Sequence, residues 1–312
     1  MPISRNEVNI NSRGGTELSM GELESRLPPE LLEKFQIIPS RFRGIEPGLI
    51  PIYWVHDTEG DPEMHHLLDG GWQKFKKIVF VSNWQMQRFV EVYKIPWSHC
   101  EVLPNAIDPF DLKKISASPT KDEPVRFIYH TTPHRGLNVL VGAFAELAKT
   151  ENVHLDVYSS FSIYGWNERD EPYQELYSYI GAHPNMTYHG ARPNEEIREA
   201  LLRSHVFVYP CTWPETGCRA LIEAMMAGLV CASTNYGCLY ETAGDTAYTY
   251  QFNEDLGALA GRTLGVIKSV VTRFRDSRLD DARTVNALRA QSRFSWDVRG
   301  KQWTEFLERM LK

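Results

Sequence analysis

Short apolar runs alternate along the chain with stretches in which apolar residues return every three or four positions. The runs are typical of buried strands, and the second spacing is typical of amphipathic helices. The predicted strands are residues 36–38, 50–55, 77–81, 101–103, 125–129, 153–158, 186–188, 206–209 and 229–232. The predicted helices are residues 16–26, 84–93, 137–148, 173–180, 194–203, 218–227, 256–274, 280–293 and 296–311. This alternation predicts parallel sheets with helices on both faces.

A proline-containing, polar stretch between residues 104 and 124 interrupts the alternation, and a new strand begins at Val125. We therefore expect an α/β protein with two Rossmann-like, doubly wound domains. The first is short and covers residues 1–107, and the second covers residues 108–294. Ligands of such sheets bind at the carboxyl ends of the strands, so the cleft between the two domains is the expected site.

Composition narrows the class of protein without changing this architecture. The 312 residues are 42% hydrophobic and 24% charged, as in an ordinary globular protein. The net charge of −6 does not indicate a basic surface that would bind nucleic acid, so no nucleic-acid partner is expected. The sequence contains no long apolar run that would span a membrane, and its first residues lack the apolar core of a signal peptide.

The cysteines point to a reducing compartment. There are five of them, with no Cys-x-x-Cys pair, which favours buried thiols over disulfides or a zinc site. We therefore expect a cytoplasmic protein with at most peripheral membrane contact.

Two glutamates in residues 214–228 carry the most chemical information. Glu215 lies in a loop after the strand at 206–209, and Glu223 lies in a helix that ends at Gly228. Backbone N–H groups at the start of a helix attract phosphate oxygens, and a carboxylate beside them can accept hydrogen bonds from sugar hydroxyls. The segment therefore predicts a site for a ligand that is both phosphorylated and polyhydroxylated.

Arg135 and His56 each follow a predicted strand. A guanidinium at the turn after residues 125–129 suits a diphosphate, because it can bond two oxygens at once. His56 could donate to a sugar hydroxyl, with a structural histidine as the alternative. Gly14 and Gly15 precede the first predicted helix and would let the backbone approach a ligand closely, although such a pair by itself more often marks a simple turn.

Three other features have weaker signals. The loop from Gly190 to Arg192 could line a pocket for the base. Ser82 or Asn83 is interpreted as a helix N-cap, and this interpretation of Ser82 is preferred over a nucleophile. The acids and histidines after His56 could bind a divalent metal, with a solvated acidic loop as the plainer alternative. These residues are Asp57, Glu59, Asp61, Glu63, His65 and His66.

Together these residues resemble the retaining glycosyltransferases of family 4, which have the GT-B fold. The glutamate pair with seven residues between its members is the most specific match. Four other segments also match, namely residues 14–17, 104–108, 135–137 and 293–296. The chain differs from the family pattern in having Tyr129 in place of a cation, Ala106 in place of glycine, and its loop glycine at Gly217 instead of one position later.

The resemblance implies a role for each matching residue. Glu215 would contact the donor hexose at its reacting end, His56 would lie near the transferred sugar, and Arg135 would stabilise the leaving diphosphate in place of the family's lysine. Glu223 would accept hydrogen bonds from the ribose. The remaining positions implied for the diphosphate are Gly14, Gly15, Gly217, Cys218, Arg219 and Ala220. Residues 295–312 would pack back on the N-terminal, acceptor-side domain.

The expected activity is retaining transfer of a hexose from a nucleoside-diphosphate sugar to a hydroxyl acceptor. A UDP-sugar is the favoured donor and a GDP-sugar the second choice, and no metal or other cofactor is expected to be required. The acceptor could be a glycan, a lipid-linked molecule or a small molecule. The sugar, the base, the acceptor and the oligomeric state stay open.

Two alternatives stay open beside this activity, and a third is disfavoured. One is a non-catalytic scaffold protein of the same fold that binds nucleotide sugars. Another is a metal-assisted transferase that uses the cluster from His56 to His66. A nicotinamide-dependent oxidoreductase is disfavoured, because no Gly-x-Gly-x-x-Gly follows a strand.

Overall fold

The computed structural model describes residues 15–276 and 279–312. In chain order the strands are β1 (Phe35–Pro39), β2 (Ile50–Val55), β3 (Lys77–Phe80), β4 (Cys100–Val102), β5 (Val125–Tyr129), β6 (Val153–Val157), β7 (Met186–Tyr188), β8 (Val206–Tyr209), β9 (Val230–Thr234) and β10 (Tyr248–Tyr250). The α-helices are α1 (Gly15–Glu24), α2 (Pro29–Leu32), α3 (Asn83–Tyr93), α4 (Leu137–Leu147), α5 (Gln174–Ala182), α6 (Asn194–Arg203), α7 (Arg219–Met226), α8 (Leu239–Ala243), α9 (Leu256–Arg275), α10 (Asp280–Phe294) and α11 (Trp296–Met310). Short 3₁₀ segments cover Pro62–Lys74, Trp97–His99, Leu112–Lys114, Pro133–Arg135, Phe161–Tyr164 and Asn167–Tyr173.

The chain forms two compact units. Unit 1 comprises the described residues up to Ile107, with Glu215–Arg219 and Phe294–Lys312. Unit 2 comprises Asp108–Pro214 and the described residues from Ala220 to Arg293. The sequence predicted a change of domain after residue 107, but it placed Glu215–Arg219 in the second domain, whereas the structure assigns this segment to unit 1.

Unit 1 contains a parallel sheet in the order β1-β2-β3-β4. Neighbouring residues of β2 face opposite sides, so that Trp54 belongs to one apolar cluster and Tyr53 to the other. The Trp54 cluster includes Trp303 of α11, whose ring centroid lies 5.2 Å from that of Trp54. The Ile107 N–H donates to Phe294 O at 3.0 Å. The start of α11 therefore lies next to the end of the connection that follows β4.

Unit 2 contains a six-stranded parallel sheet in the order β10-β9-β8-β5-β6-β7. After β5 the chain adds β6 and β7 on one side, and then returns to add β8, β9 and β10 on the other. The direction of strand addition therefore reverses between β5 and β8, and such a switch point opens a crevice at the carboxyl ends of the two strands. All strand pairs in the described residues are parallel, which confirms the prediction from the βα alternation.

Two further expectations concern the cysteines and membrane-spanning helices. All five cysteines lie buried as thiols, as predicted. Within residues 15–276 and 279–312, none of the helices combines the length and the apolar character needed to cross a bilayer.

Candidate functional site

Unit 1 places several polar residues at the carboxyl edge of its sheet. His56 follows β2, Ser82 follows Val81 at the end of β3, and Asn105 lies beyond β4. The segment Glu215–Arg219 lies against this same edge. The edge is formed by three separate loops because parallel strands end on one side of the sheet.

Three hydrogen bonds hold the segment Glu215–Arg219 in place. Ser82 Oγ donates to Thr216 O at 2.7 Å, and Asn105 Nδ2 donates to Gly217 O at 2.9 Å. Thr216 Oγ1 in turn donates to His56 O at 2.6 Å. Ser82 also accepts from the N–H of Gln85, which confirms that it is the N-cap of α3. Unit 1 therefore fixes the backbone on the carboxyl side of Glu215.

Gly217 fits where no larger residue could. A Cβ at this position would lie 2.6 Å from Val81 Cγ2 and 2.8 Å from Asn105 Nδ2, both closer than real contacts allow. A glycine at residue 217, instead of one position later as in the family pattern, therefore fits the close packing of this segment against Val81 and Asn105.

The Arg219 side chain is also buried in unit 1. Its Nη1 donates to Ser19 Oγ at 2.8 Å, Glu22 Oε2 at 2.9 Å and Ala106 O at 3.0 Å, and its Nη2 donates to Glu22 Oε1 at 3.1 Å. Trp296 Nε1 donates to Glu22 Oε2 at 3.0 Å. The sequence assigned Arg219 only a backbone role, and it missed this bidentate ion pair.

Gly15 and Gly14 were predicted to approach a phosphate. Gly15 is the first residue of α1, and a Cβ there would lie 3.2 Å from Arg219 Cδ. The backbone of Gly15 therefore runs close to the Arg219 stem. Gly14 lies outside the described residues.

His56 is neutral in this environment. Burial, reinforced by the positive charge of Arg219, lowers the pKa of His56 to about 3. Its ring lies 4.4 Å from that of Trp54, and its buried Nε2 has no hydrogen-bond partner within the described part of the chain. An unprotonated imidazole of this kind can offer one N–H or one lone pair to a ligand.

The acids that follow His56 are engaged by arginines. The ion pairs are Arg41–Asp57 at 3.9 Å, Arg41–Asp61 at 3.5 Å, Arg43–Glu63 at 2.7 Å and Arg88–Glu59 at 2.7 Å.

His66 is held among aromatic rings instead of facing these acids, and His65 is exposed. The rings of Phe42 and Tyr53 lie 4.8 and 4.9 Å from that of His66, and burial together with the charge of Lys74 lowers the pKa of His66 to about 4. No group of three or more acid, histidine or cysteine side chains fit to hold a metal occurs among residues 15–276 and 279–312. Apart from the exposed His65, the members of this cluster therefore contact arginines or aromatic rings.

Unit 2 holds Glu223 at its switch point. Glu223 lies in α7, behind the loop that follows β8, and His130 directly follows β5. His130 Nε2 lies 3.4 Å from Glu223 Oε2, and Asn194 Nδ2 donates to Glu223 Oε1 at 3.3 Å. The sequence did not single out His130 or Asn194. Their position after β5 and at the start of α6, on the same sheet edge as Glu223, is the signal that could have found them.

Arg135 ends the short 3₁₀ segment that leads from β5 into α4, and its side chain is half-buried. The next residue, Gly136, has a φ of +99°, and a Cβ there would lie 2.1 Å from Pro210 O. Thr212 Oγ1 donates to His134 O at 3.0 Å. The turn after β5 and the loop after β8 are therefore in direct contact, with Arg135 at the switch point.

The other predicted donor-binding residues are arranged as follows. Gly190 turns the chain after β7 with a φ of +67°, and Arg192 is exposed, with its Nε 4.0 Å from Glu196 Oε2. Both lie beyond β6, away from β8 in the strand order. Cys218 and Ala220 flank the first residue of α7, where the N–H groups of a helix lack intrahelical partners.

Comparisons with known proteins show which family and which fold this chain resembles. The family model described as "Glycosyl transferases group 1" matches residues 109–266, just over half of the chain, and the match includes Arg135, Glu215 and Glu223. None of the curated proteins matches the chain.

Several solved structures are similar over nearly the whole chain. A glycosyltransferase from Rickettsia africae has 17% identity and a TM-score of 0.68, over 96% of each chain. Anabaena Alr3699/HepE, solved in complex with UDP and glucose, has 14% identity and a TM-score of 0.66, over 94% of this chain and 81% of that one. The pneumococcal O-GlcNAc transferase GtfA, in complex with UDP and GlcNAc, has 14% identity and a TM-score of 0.64, over 94% and 60%. At these identities the similarity shows the fold, which is a GT-B fold of two Rossmann-like domains.

Proposed function

Because the chain belongs to the glycosyl transferases group 1 family, we propose that it is a retaining transferase that moves a hexose from a nucleoside-diphosphate sugar to a hydroxyl acceptor. The observation that carries the proposal is the buried Glu223 carboxylate at the switch point of unit 2, which accepts a hydrogen bond from Asn194 and has His130 Nε2 3.4 Å away. Crevices of this kind bind nucleotides, and a fixed carboxylate in one suits vicinal hydroxyls.

Unit 2 supplies the nucleotide end of the proposed complex. Glu223 accepts hydrogen bonds from the ribose hydroxyls. Arg135 binds the diphosphate, where its planar guanidinium can bond two oxygens at once. As the glycosidic bond breaks, the diphosphate gains negative charge, and Arg135 stabilises that charge in the transition state.

Unit 1 supplies two groups for the sugar end. Glu215 is buried, and its carboxylate contacts the hexose near the reacting carbon. His56 is uncharged, so it contributes a hydrogen bond without adding positive charge beside the developing oxocarbenium ion. Transfer on the same face of the sugar lets the leaving phosphate take the acceptor proton, so the proposal does not require a separate general base.

The proposed donor is a UDP-sugar, with a GDP-sugar as the second choice. Two of the structurally similar proteins were solved with UDP, HepE together with glucose and GtfA together with GlcNAc. No metal is required in the proposed mechanism, because Arg135 and the N–H groups at the start of α7 supply positive charge at the diphosphate.

The test combines binding and transfer with the full chain. UDP, GDP and ADP and their glucose, galactose, mannose and N-acetylglucosamine derivatives are screened by thermal shift, since a ligand of the native state raises the melting temperature. Any stabilising donor is then incubated with a panel of glycan, lipid-linked and small hydroxyl acceptors, with and without EDTA. We expect a uridine donor to stabilise the chain and transfer to be unaffected by EDTA, with the anomeric configuration of the product, read by NMR, retained.

Three results would contradict parts of the proposal. Binding with neither transfer nor slow donor hydrolysis would favour a non-catalytic nucleotide-sugar protein. An inverted product would exclude retention, and loss of transfer in EDTA that Mg²⁺ or Mn²⁺ restores would exclude the metal-free mechanism.

A further inference from the structure

The Arg219–Glu22 ion pair lies inside unit 1. The Arg219 side chain is 9% exposed and that of Glu22 is 22% exposed, and the two guanidinium nitrogens bond the two carboxylate oxygens at 2.9 and 3.1 Å. Paired N–H···O⁻ contacts of this kind fix both distance and orientation. Arg219 is also four residues from Glu215, on the segment that carries it.

Neighbours on both sides hold the pair. Ser19 Oγ and Ala106 O accept from the same Arg219 nitrogen, and Trp296 Nε1 donates to Glu22. These neighbours come from α1, from the connection after β4 and from α11. A lysine could not reproduce the pattern, because an ammonium is a point charge without the planar fork.

A buried ion pair contributes little net stability, since desolvation of the charges offsets much of their attraction. Its geometric effect is larger. Together with the bonds from Ser82 to Thr216 O and from Asn105 to Gly217 O, the pair attaches three of the four residues that follow Glu215 to unit 1. The backbone of Glu215 is thus held to the sheet edge that also presents His56.

We propose that Arg219 is a positioning residue for Glu215: its ion pair with Glu22 holds residues 215–219 in the conformation in which the Glu215 carboxylate meets the sugar. The inference rests on the proposed function, but it makes a separate claim about the segment itself. It predicts a loss of turnover rather than of nucleoside binding, because the Glu223 carboxylate lies beside His130 and Asn194 of unit 2 and apart from residues 215–219.

The principal variants are Arg219→Gln, Glu22→Gln and the double variant. We expect each to lower kcat for transfer by roughly 10- to 100-fold, the scale on which misplacement by about 1 Å slows catalysis. The Kd for uridine, which has no diphosphate to bind the start of α7, should change less than threefold. The double variant should be no slower than Arg219→Gln, because both substitutions remove the same interaction. Arg219→Lys should fall between the wild type and Arg219→Gln.

Arg309→Gln is the matched control. Arg309 also pairs with a glutamate in unit 1, at 2.9 Å from Glu101, but it lies on α11, apart from residues 215–219. We expect its kcat to equal that of the wild type. Should Arg219→Gln fail to fold, Ser19→Ala removes a single hydrogen bond from the same guanidinium and takes its place.

Hydrogen exchange supplies a readout that does not depend on activity. In the unliganded protein, Arg219→Gln should speed amide exchange in peptides covering residues 215–219, whereas Arg309→Gln should not. A normal kcat, unchanged exchange, or a Kd for uridine that rises in parallel with the fall in kcat would overturn the positioning role. Absence of transfer by the unsubstituted chain would instead contradict the proposed function, and the exchange result would still decide whether Arg219 orders the segment.

Discussion

His130 Nε2 lies 3.4 Å from Glu223 Oε2, and the two side chains are only 2% and 7% exposed. The second Glu223 oxygen accepts from Asn194 at 3.3 Å. Both carboxylate oxygens therefore have a neighbour before any ligand arrives. Such a carboxylate would already be oriented for the ribose of the proposed donor.

Glu223→Gln should weaken nucleotide binding. The amide loses the negative charge, and a hydrogen bond to a charged group contributes about 1.5–3 kcal/mol, so we expect the Kd for UDP to rise roughly 10- to 100-fold. Isothermal titration calorimetry measures it. Glu199→Gln, at an exposed glutamate of α6, is the control and should bind UDP normally. An unchanged affinity in Glu223→Gln would argue against a ribose contact.

Glu215→Gln should lower the rate of transfer while UDP still binds. The substitution keeps the shape of the side chain but removes the charge placed beside the reacting sugar, which we expect to cost about 10²- to 10³-fold in kcat. The melting temperature should shift only slightly, because the side chain volume is preserved. Wild-type turnover in this variant would remove Glu215 from the mechanism.

Arg135→Ala should affect the diphosphate selectively. We expect the Kd for UDP to rise tenfold or more, because a charge-assisted pair of hydrogen bonds is lost, while the Kd for uridine stays the same. The ratio of the two constants, measured under one set of conditions, separates a phosphate contact from general damage. If both constants rise together, the guanidinium supports the turn and does not bind the ligand.

Gly136→Ala should destabilise unit 2. A side chain at a φ of +99° is strained, and its Cβ would stand 2.1 Å from Pro210 O, so we expect a loss of about 3 kcal/mol or more in the free energy of unfolding. Gly142→Ala is the matched control, because Gly142 is an exposed position in the middle of α4 where a Cβ meets nothing within 4 Å. It should stabilise the protein by roughly 0.5–1 kcal/mol. Urea unfolding of both variants tests the contrast.

Stability should fall as the pH drops below about 6.5, the usual pKa of an unfolded histidine. Burial and a neighbouring cation lower the pKa of His56 to about 3 and of His66 and His205 to about 4. The unfolded chain then binds more protons than the native one, so each histidine removes up to about 1.4 kcal/mol per pH unit between pH 6.5 and its native pKa.

His205 allows a direct test of how the free energy of unfolding depends on pH. The Arg126 N–H donates to His205 Nδ1 at 2.9 Å, so protonation there would destroy an acceptor. His205→Asn retains an acceptor near that position and removes the titration, and we expect a shallower dependence of unfolding free energy on pH from 6.5 to 5. His65→Asn, at an exposed histidine, should leave the slope unchanged. Equal slopes in the wild type and in His205→Asn would contradict this origin.

The sequence predicted best where local pattern and burial agree. The strands Ile50–Val55 and Val125–Tyr129 have the predicted bounds, because their apolar runs are buried in the sheets. The strand Tyr248–Tyr250 was missed, since a three-residue strand at the edge of its sheet pairs on one side only and alternates little. Very short elements such as α2 depend on their neighbours for stability and leave no periodic signal.

The residues of the candidate site also differ in how much of their signal is local in sequence. Glu215, Glu223 and Arg135 could be proposed from the sequence because their spacing is local to a strand, a loop and a helix. The contacts of Arg219 could not be predicted, because Glu22 and Trp296 lie far from it in sequence and only the folded unit 1 brings them together. His130 and Asn194 were accessible in principle through the switch-point rule, once the strand order of unit 2 is known.

The hydrogen bond from the Ile107 N–H to Phe294 O means that unit 1 is interrupted by unit 2 rather than completed before it. A polypeptide that stops at Ile107 would lack Trp303, Phe306 and Leu307, and so would expose one face of its sheet. Because residues 107 and 294 are in contact, a short linker could join them directly. A minimal form of unit 1 for expression should therefore be assembled from the residues up to 107 and residues 294–312.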